Sequence, residues 1–344
     1  TTEVAIGRKT KQSPLTAYSK LKSKWGGLVI ISCIIPFMIM PYYVVIGGWV
    51  LKYFITFLTG NGVKAATDTF FTDFITNEYE TIILMFIFLI ACAIIIYKGV
   101  DGGIESTSKI LMPVLIIFVI GIAIFSLTLK DTQESGKIVT GLDGFKVYVI
   151  PSVKGLTLKK FFYILTDATG QLFYSLSIAM GIMIAYGSYV PDDTNLSKSI
   201  TNIEIFDTMV AFLAGVMIIP AVFVFQGKAG LEASGPSLMF VVLPKVFMEM
   251  GKIGNVVGTI FFAMVLFAAL TSAISIMEAV VSSIMDKTTI ELKNLQQERQ
   301  ELLDNLITTQ ENIKNLSDDL RDLCDIYYRN KVELGKDKDE LDKS

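Results

Sequence analysis

Two serines, a glutamine and two glycines sit where an apolar membrane span has no use for them. They fall in Gly170-Gln171-Leu172-Phe173-Tyr174-Ser175-Leu176-Ser177-Ile178-Ala179-Met180-Gly181, inside a longer apolar run from about Phe161 to Tyr189. In a bilayer each freed backbone amide must find a partner, so a break in a helix is tolerated only where it lines a cavity or is buried in protein. Broken helices near the midplane are how many secondary transporters build substrate and ion sites. The expected chemistry is therefore ligand binding by freed amides, carbonyls and hydroxyls. Two other apolar runs carry candidates. Asp207 is an ionisable group inside a span, which is costly and usually functional, although an interfacial carboxylate near the span's end is the plainer alternative. Thr271 and Ser272 by themselves read as hydroxyls bonded back to their own helix.

Bond-breaking chemistry finds little support. The chain has no histidine, which removes imidazole acid–base catalysis and histidine metal sites. Its three cysteines, Cys33, Cys92 and Cys324, are scattered without a Cys-x-x-Cys pair. The glycines of Lys98–Lys109 follow no strand and precede no Gly-Lys-Ser/Thr, so they are not a nucleotide-binding loop. The chain is read as a non-enzyme with no nucleic-acid partner.

The elements that position these residues are membrane helices. Hydrophobic residues make up 52% of the 344, and the mean hydropathy is +0.56, far above a soluble globular chain. Expected spans run over 26–58, 82–97, 110–129, the broken 161–189, 199–225 and 256–285. Arg8, Lys9, Lys11, Lys20, Lys22 and Lys24 place the start in the cytoplasm, while Asp68, Asp73, Glu78 and Glu80 suit the outside. The alternation gives a cytoplasmic C-terminus. Trp49 and Tyr53 suit the far interface, Gly47-Gly48 close packing, and Gly141-Leu142-Asp143-Gly144-Phe145 a turn. Residues 226–254 read as a re-entrant or lid-like helix pair. The opening Thr1–Gly7 reads as the continuation of something upstream.

From Lys287 the composition turns polar. Leu295, Leu302, Leu306, Ile313, Leu316, Leu320, Leu323, Tyr327 and Leu334 fall in a heptad seam, with Arg299, Thr309 and Asn330 in its gaps. At 1.5 Å per residue the helix would be roughly 60 Å long. A cytoplasmic coiled coil is expected, with a single charged helix or partly disordered tail as the alternative. The organisation is thus a membrane domain over 1–286 and a charged helix over 287–344.

Several blocks, in order, resemble the neurotransmitter:sodium symporter family, its bacterial amino-acid transporters above all. They are Glu3-x-x-x-Gly7-Arg8, Tyr42-Tyr43, Lys98-Gly99 with Gly103-Ile104-Glu105, Lys109 and Met112-Pro113, the Gly170–Gly181 stretch, Asp207-Thr208 with Pro220, Gly235-Pro236-Ser237-Leu238 with Leu243-Pro244, and Leu270-Thr271-Ser272. The resemblance covers about 1–286. It implies an all-α polytopic membrane protein with a partial leucine-transporter-like inverted-repeat fold, from the end of the family's second span through its eighth, located in the plasma (inner) membrane.

The resemblance also implies roles. Ile39, Tyr43, Tyr174, Ser177, Met180 and Ile276 would line the substrate pocket, with the Tyr43 hydroxyl on the substrate carboxylate. Ser175 and Asp207 would serve a first sodium site, since a hard cation takes carboxylate, hydroxyl and carbonyl oxygens. The Ala268 carbonyl, Thr271 and Ser272 would serve a second, and Tyr186, Ser188 and Asp286 a cytoplasmic gate. Ala211 stands where chloride-dependent members carry serine, so chloride is not expected to be required.

The apolar lining suits a hydrophobic amino acid. The expected activity is sodium-coupled symport of an amino acid by alternating access. The expectation for this chain alone, without the family's remaining spans, is inactivity. Without its N-terminal arginine partner Asp286 would be a solvated carboxylate at a helix end. The competing reading is a membrane-anchored interaction protein that recruits a partner, or itself, through the coiled coil.

Overall fold

A computed structural model describes residues 1–22, 26–132, 138–151 and 155–341. The described chain is almost wholly helical. It comprises α1 (Thr2–Thr10), α2 (Pro14–Leu21), α3 (Gly26–Leu58), α4 (Gly62–Ala65), α5 (Phe70–Thr76), α6 (Glu78–Tyr97) and α7 (Ser106–Thr128). A two-stranded hairpin, β1 (Lys130–Thr132) and β2 (Ile138–Thr140), leads into α8 (Gly141–Val149). Then come α9 (Leu158–Ser175), α10 (Ile182–Tyr189), α11 (Leu196–Gly230), α12 (Gly235–Ser237), α13 (Leu243–Glu249) and α14 (Gly254–Leu341). Residues cluster in two units, one over Thr1–Asp286 and one from Lys287 onward.

Among the described residues, five helical stretches are long and apolar enough to cross a membrane: Ile31–Leu58, Glu78–Tyr97, Gly102–Thr128, Leu196–Gly230 and Gly251–Ser317. The run expected as a sixth span is α9 and α10, separated by a non-helical stretch at residues 176–181. Within the stretch expected as a re-entrant or lid-like helix pair, α11 kinks at Gly227 and a continuous helical run over 235–249 follows, burying Phe240, Leu243, Val246 and Phe247.

Trp49 and Tyr53 are not a lipid-facing belt. Tyr53 is fully buried and donates its hydroxyl to Phe240 O at 2.7 Å. Trp49 meets the rings of Phe71 and Phe240 edge-on, at 5.3 and 5.8 Å between centroids. With Phe57, Phe261 and Phe262 these rings form the main core cluster, in the edge-to-face and offset arrangements that aromatic quadrupoles favour. Asn255 joins the same region, donating to Phe57 O at 2.7 Å and accepting from Gly62 N–H at 3.1 Å.

Gly141–Phe145 is helix rather than turn. Thr140 and Asp143 make a reciprocal capping box at the start of α8, which satisfies the orphan amides of the first turn. Gly144 is needed for close packing, because a Cβ there would stand 2.6 Å from Pro220 Cα on α11. The helix that carries the last expected span does not end near 285. α14 runs on unbroken to Leu341, since no proline and no left-handed glycine interrupts it.

Candidate substrate and ion site

The break between α9 and α10 is tightly wound rather than extended. Ser177 N–H donates to Tyr174 O at 3.1 Å, and Ile178 N–H to Phe173 O at 2.9 Å. Ser177, Ala179 and Gly181 then take positive φ of 53°, 64° and 73°. Only the glycine adopts that region without penalty. For Ser177 and Ala179 the left-handed conformation costs of order 1–3 kcal/mol each, so surrounding contacts must hold it.

One such contact comes from the start of the chain. Ala179 N–H donates to Glu3 Oε1 at 2.8 Å. The other carboxylate oxygen, Oε2, is buried and has no hydrogen-bond partner among the described residues. Glu3 is held there by the docking of α1 on α10. A Cβ on Gly7 would lie 2.1 Å from Ile184 O, and one on Gly187 would lie 2.5 Å from Val4 O, so the two backbones touch. Past the end of α10, Lys11 Nζ donates to Val190 O at 2.7 Å and pairs with Asp192 at 3.1 Å, while Arg8 Nη1 donates to Thr194 O at 2.8 Å. Cations at a helix C-terminus answer its free carbonyls and its dipole. Glu3 carries no role in the sequence reading, although it opens the first matched block.

The apolar side of the site gathers as expected. Ile182, Ala185, Ile276 and Ala279 form a buried cluster, against which Ile39, Met40, Tyr43, Met180 and Tyr186 pack. Four of the expected pocket residues, Ile39, Tyr43, Met180 and Ile276, are therefore neighbours. Tyr174 lies near Tyr42 and Tyr43 but remains half exposed at the end of α9. Ser177 sits in the break itself. The Tyr43 hydroxyl meets the Ser272 side chain, linking the apolar cluster to the Thr271-Ser272 pair.

Of the oxygen-bearing residues, Ser175 meets Asp207 and Thr271 meets the Ala268 carbonyl, whereas Ser272 turns to Tyr43. Ser175 Oγ donates to Asp207 Oδ1 at 2.7 Å, joining the end of α9 to α11. On α14, Thr271 Oγ1 bonds to Ala268 O at 3.0 Å and to Phe267 O at 3.1 Å. The back-bonding arrangement is thus present, and it sets the hydroxyl beside the Ala268 carbonyl. Each cluster offers oxygen donors of the kind a hard monovalent cation takes. No cluster of three or more His, Cys, Asp or Glu residues suited to a transition metal occurs among the described residues.

At the other end of α10 the gate residues differ in what they do. Tyr186 OH and Ser275 Oγ are 2.9 Å apart, whereas Ser188 Oγ donates back to Ala185 O of its own helix at 2.6 Å. Asp286 is not a free carboxylate: its Oδ2 accepts Ser13 N–H at 2.6 Å, at the cap of α2. One pair of this region is absent from the sequence reading. Tyr189 OH donates to Glu278 Oε1 at 2.6 Å, and Glu278 is buried at 6% exposure. The rule that singles out Asp207, an ionisable residue within a span, applies equally to Glu278.

The sequence profile of the sodium:neurotransmitter symporter family matches residues 71–316. The chain belongs to that family. The family is one of transporters rather than enzymes, and the match extends past Asp286 into the charged part of α14. This family member is 32% identical over 294 residues to the uncharacterized sodium-dependent transporter YhdH of Bacillus subtilis, covering 82% of the chain and 60% of that protein. It is 34% identical over 301 residues to an uncharacterized sodium-dependent transporter of Haemophilus influenzae, covering 83% and 62%. Its structure resembles the crystal structure of MhsT in complex with L-phenylalanine, with a TM-score of 0.71, 33% identity and coverage of 83% of this chain and 63% of that one. The chain thus spans about three fifths of the length of these relatives.

Proposed function

We propose that this site serves sodium-coupled symport of a hydrophobic amino acid by alternating access. The observation that carries the reading is the Ser175–Asp207 contact of 2.7 Å at the lip of the broken helix, next to the apolar cluster of Ile39, Tyr43, Met180 and Ile276. In this reading Tyr174, Ser177 and Met180 face the substrate from the break, Ile39 and Tyr43 from α3, and Ile276 from α14. The Tyr43 hydroxyl takes the substrate carboxylate. Ser175 and Asp207 serve one sodium ion; the Ala268 carbonyl, Thr271 and Ser272 serve a second. The Asp207 carboxylate supplies fixed negative charge, so chloride is not needed, in keeping with Ala211. Tyr186, Ser188 and Asp286, with the Tyr189–Glu278 pair, close the path on the other side. A sodium-dependent relative and a phenylalanine-bound structural neighbour both support this assignment. Work comes from the gradient, because one charge moving through about 100 mV yields about 2.3 kcal/mol.

The deciding experiment is equilibrium binding of radiolabelled L-phenylalanine to the purified full chain, in sodium chloride against potassium chloride. Binding should require sodium, and Asp207→Asn and Ser175→Ala should each raise the sodium concentration that half-saturates it. Equal binding in the two salts would sink the assignment.

The exposed leucines of the long helix favour a second activity alongside the first. Leu295, Leu302, Leu306, Ile313, Leu316, Leu320 and Leu323 are all more than half exposed and keep the heptad spacing of a coiled-coil seam. Residues 287–344 are proposed to act as a cytoplasmic partner-binding or self-associating module, distinct from the membrane domain over 1–286.

A further inference from the structure

A cavity of about 270 Å³ lies at one membrane face, between the C-terminal end of α3 and the N-terminal end of α6. Its polar lining comes from Lys52, Thr56, Thr59, Asn61, Lys64 and Glu80. It is separate from the broken helix and belongs to none of the sites above. Lys52 pairs with Glu80 and is held 5.7 and 5.6 Å from the ring centroids of Phe70 and Phe74, within cation–π reach. Lys64 has no ion-pair partner among the described residues.

The neutral groups have already turned their hydrogens inward. Thr56 Oγ1 donates to Lys52 O, Thr59 Oγ1 to Ile55 O and Thr56 O, and Asn61 Nδ2 to Thr59. The donors left facing the cavity are ammonium groups: those of Lys64 and the hydrogens of Lys52 that Glu80 does not take. Two ammoniums against one carboxylate leave the lining with a net positive charge. Such a lining repels a metal cation and fits a ligand that presents anionic oxygens. Inward from Glu80, α6 exposes Ile83, Phe86, Ile87 and Ile90, an apolar strip of the kind that meets hydrocarbon.

We propose that this cavity holds the phosphodiester of a membrane phospholipid, with its acyl chains along the exposed apolar side chains of α6. Basic pockets between spans at headgroup depth recognise lipid phosphate in this way. The apolar strip favours a lipid over a soluble anion, because it continues from the cavity toward the membrane interior.

The test is native mass spectrometry of the full chain released from detergent, titrated with dioleoylphosphatidylglycerol. One lipid per chain should be retained. Lys64→Gln, at an exposed position, should weaken retention about fivefold, the effect of one lysine at a charged membrane surface. Millimolar inorganic phosphate should not displace the lipid. Equal retention by the wild-type and Lys64→Gln chains, with helix content unchanged by circular dichroism, would overturn the proposal. So would displacement by inorganic phosphate, which would give the cavity to a soluble anion. Lys52→Gln serves as a second variant and should weaken retention likewise when the chain remains folded.

Discussion

Ala179 donates its backbone N–H to Glu3 Oε1 at 2.8 Å, joining residues 176 positions apart. A carboxylate thus occupies the place that the missing helical carbonyl would have taken, and it does so where two non-glycine residues sit in the left-handed region.

Removing the carboxylate takes away the acceptor of the exposed Ala179 amide. Glu3→Ala should cost about 0.5–1.5 kcal/mol, read as a lower midpoint of thermal unfolding, and should weaken sodium-dependent amino-acid binding. Glu3→Gln keeps an acceptor oxygen for Ala179 and should retain most of the stability. If Glu3→Ala and the wild type unfold together, the contact does not hold the break.

Tyr189 and Glu278 should prove energetically coupled. Tyr189→Phe leaves a buried carboxylate without its 2.6 Å donor, whereas in a Glu278→Leu background the same change should matter little. The double-mutant cycle in thermal unfolding should give a coupling of about 0.5–3 kcal/mol. A value near zero would reduce the pair to coincidence.

The start of α8 should depend on pH. Hydrogen bonds from the Thr140 side chain and backbone hold the Asp143 carboxyl below its usual range, with the Lys146 ammonium adding a smaller pull. Its folded value is lower than its unfolded one, so the cap stabilises above the unfolded value and is lost as pH falls through the folded one. The stability difference between wild type and Asp143→Ala should therefore be present at neutral pH and vanish in acid. A difference that persists at pH 2 would contradict the capping role.

The exposed heptad seam should drive self-association or partner capture if residues 287–344 act as proposed. Leu306→Asp with Leu316→Asp should abolish any dimer seen by light scattering, and should leave sodium-dependent binding of L-phenylalanine unchanged. A loss of that binding would tie the long helix to the transport site instead.

Much of the site is legible in the chain because its chemistry is out of place there. Ser175, Asp207 and the glycines of the broken run stand out against apolar neighbours, and Ser175 and Asp207 do meet. The break itself falls at residues 176–181, within the stretch from Gly170 to Gly181. Glu278 obeys the same rule as Asp207, yet its partner Tyr189 lies 89 positions away, and no local pattern shows the pairing. Glu3 is hidden for the same reason. Gly141 and Gly144 mislead because a glycine marks either a turn or a close approach, and only the position of Pro220 decides which. The end of the last expected span is marked by composition alone: from Gly254 to Leu341 no residue stops the helix, so a change of solvent preference leaves no mark on the backbone.

The contact of α1 with α10 has a mechanical consequence. With Gly7 against the Ile184 carbonyl and Gly187 against Val4, and with Arg8 and Lys11 gripping the carbonyls beyond, the two segments have no room to slide past one another. They must travel as one rigid body. Any tilt of α10 then carries Glu3 with it, and relative motion within the break falls to the α9 side, where the Ser175–Asp207 contact is the tie to α11.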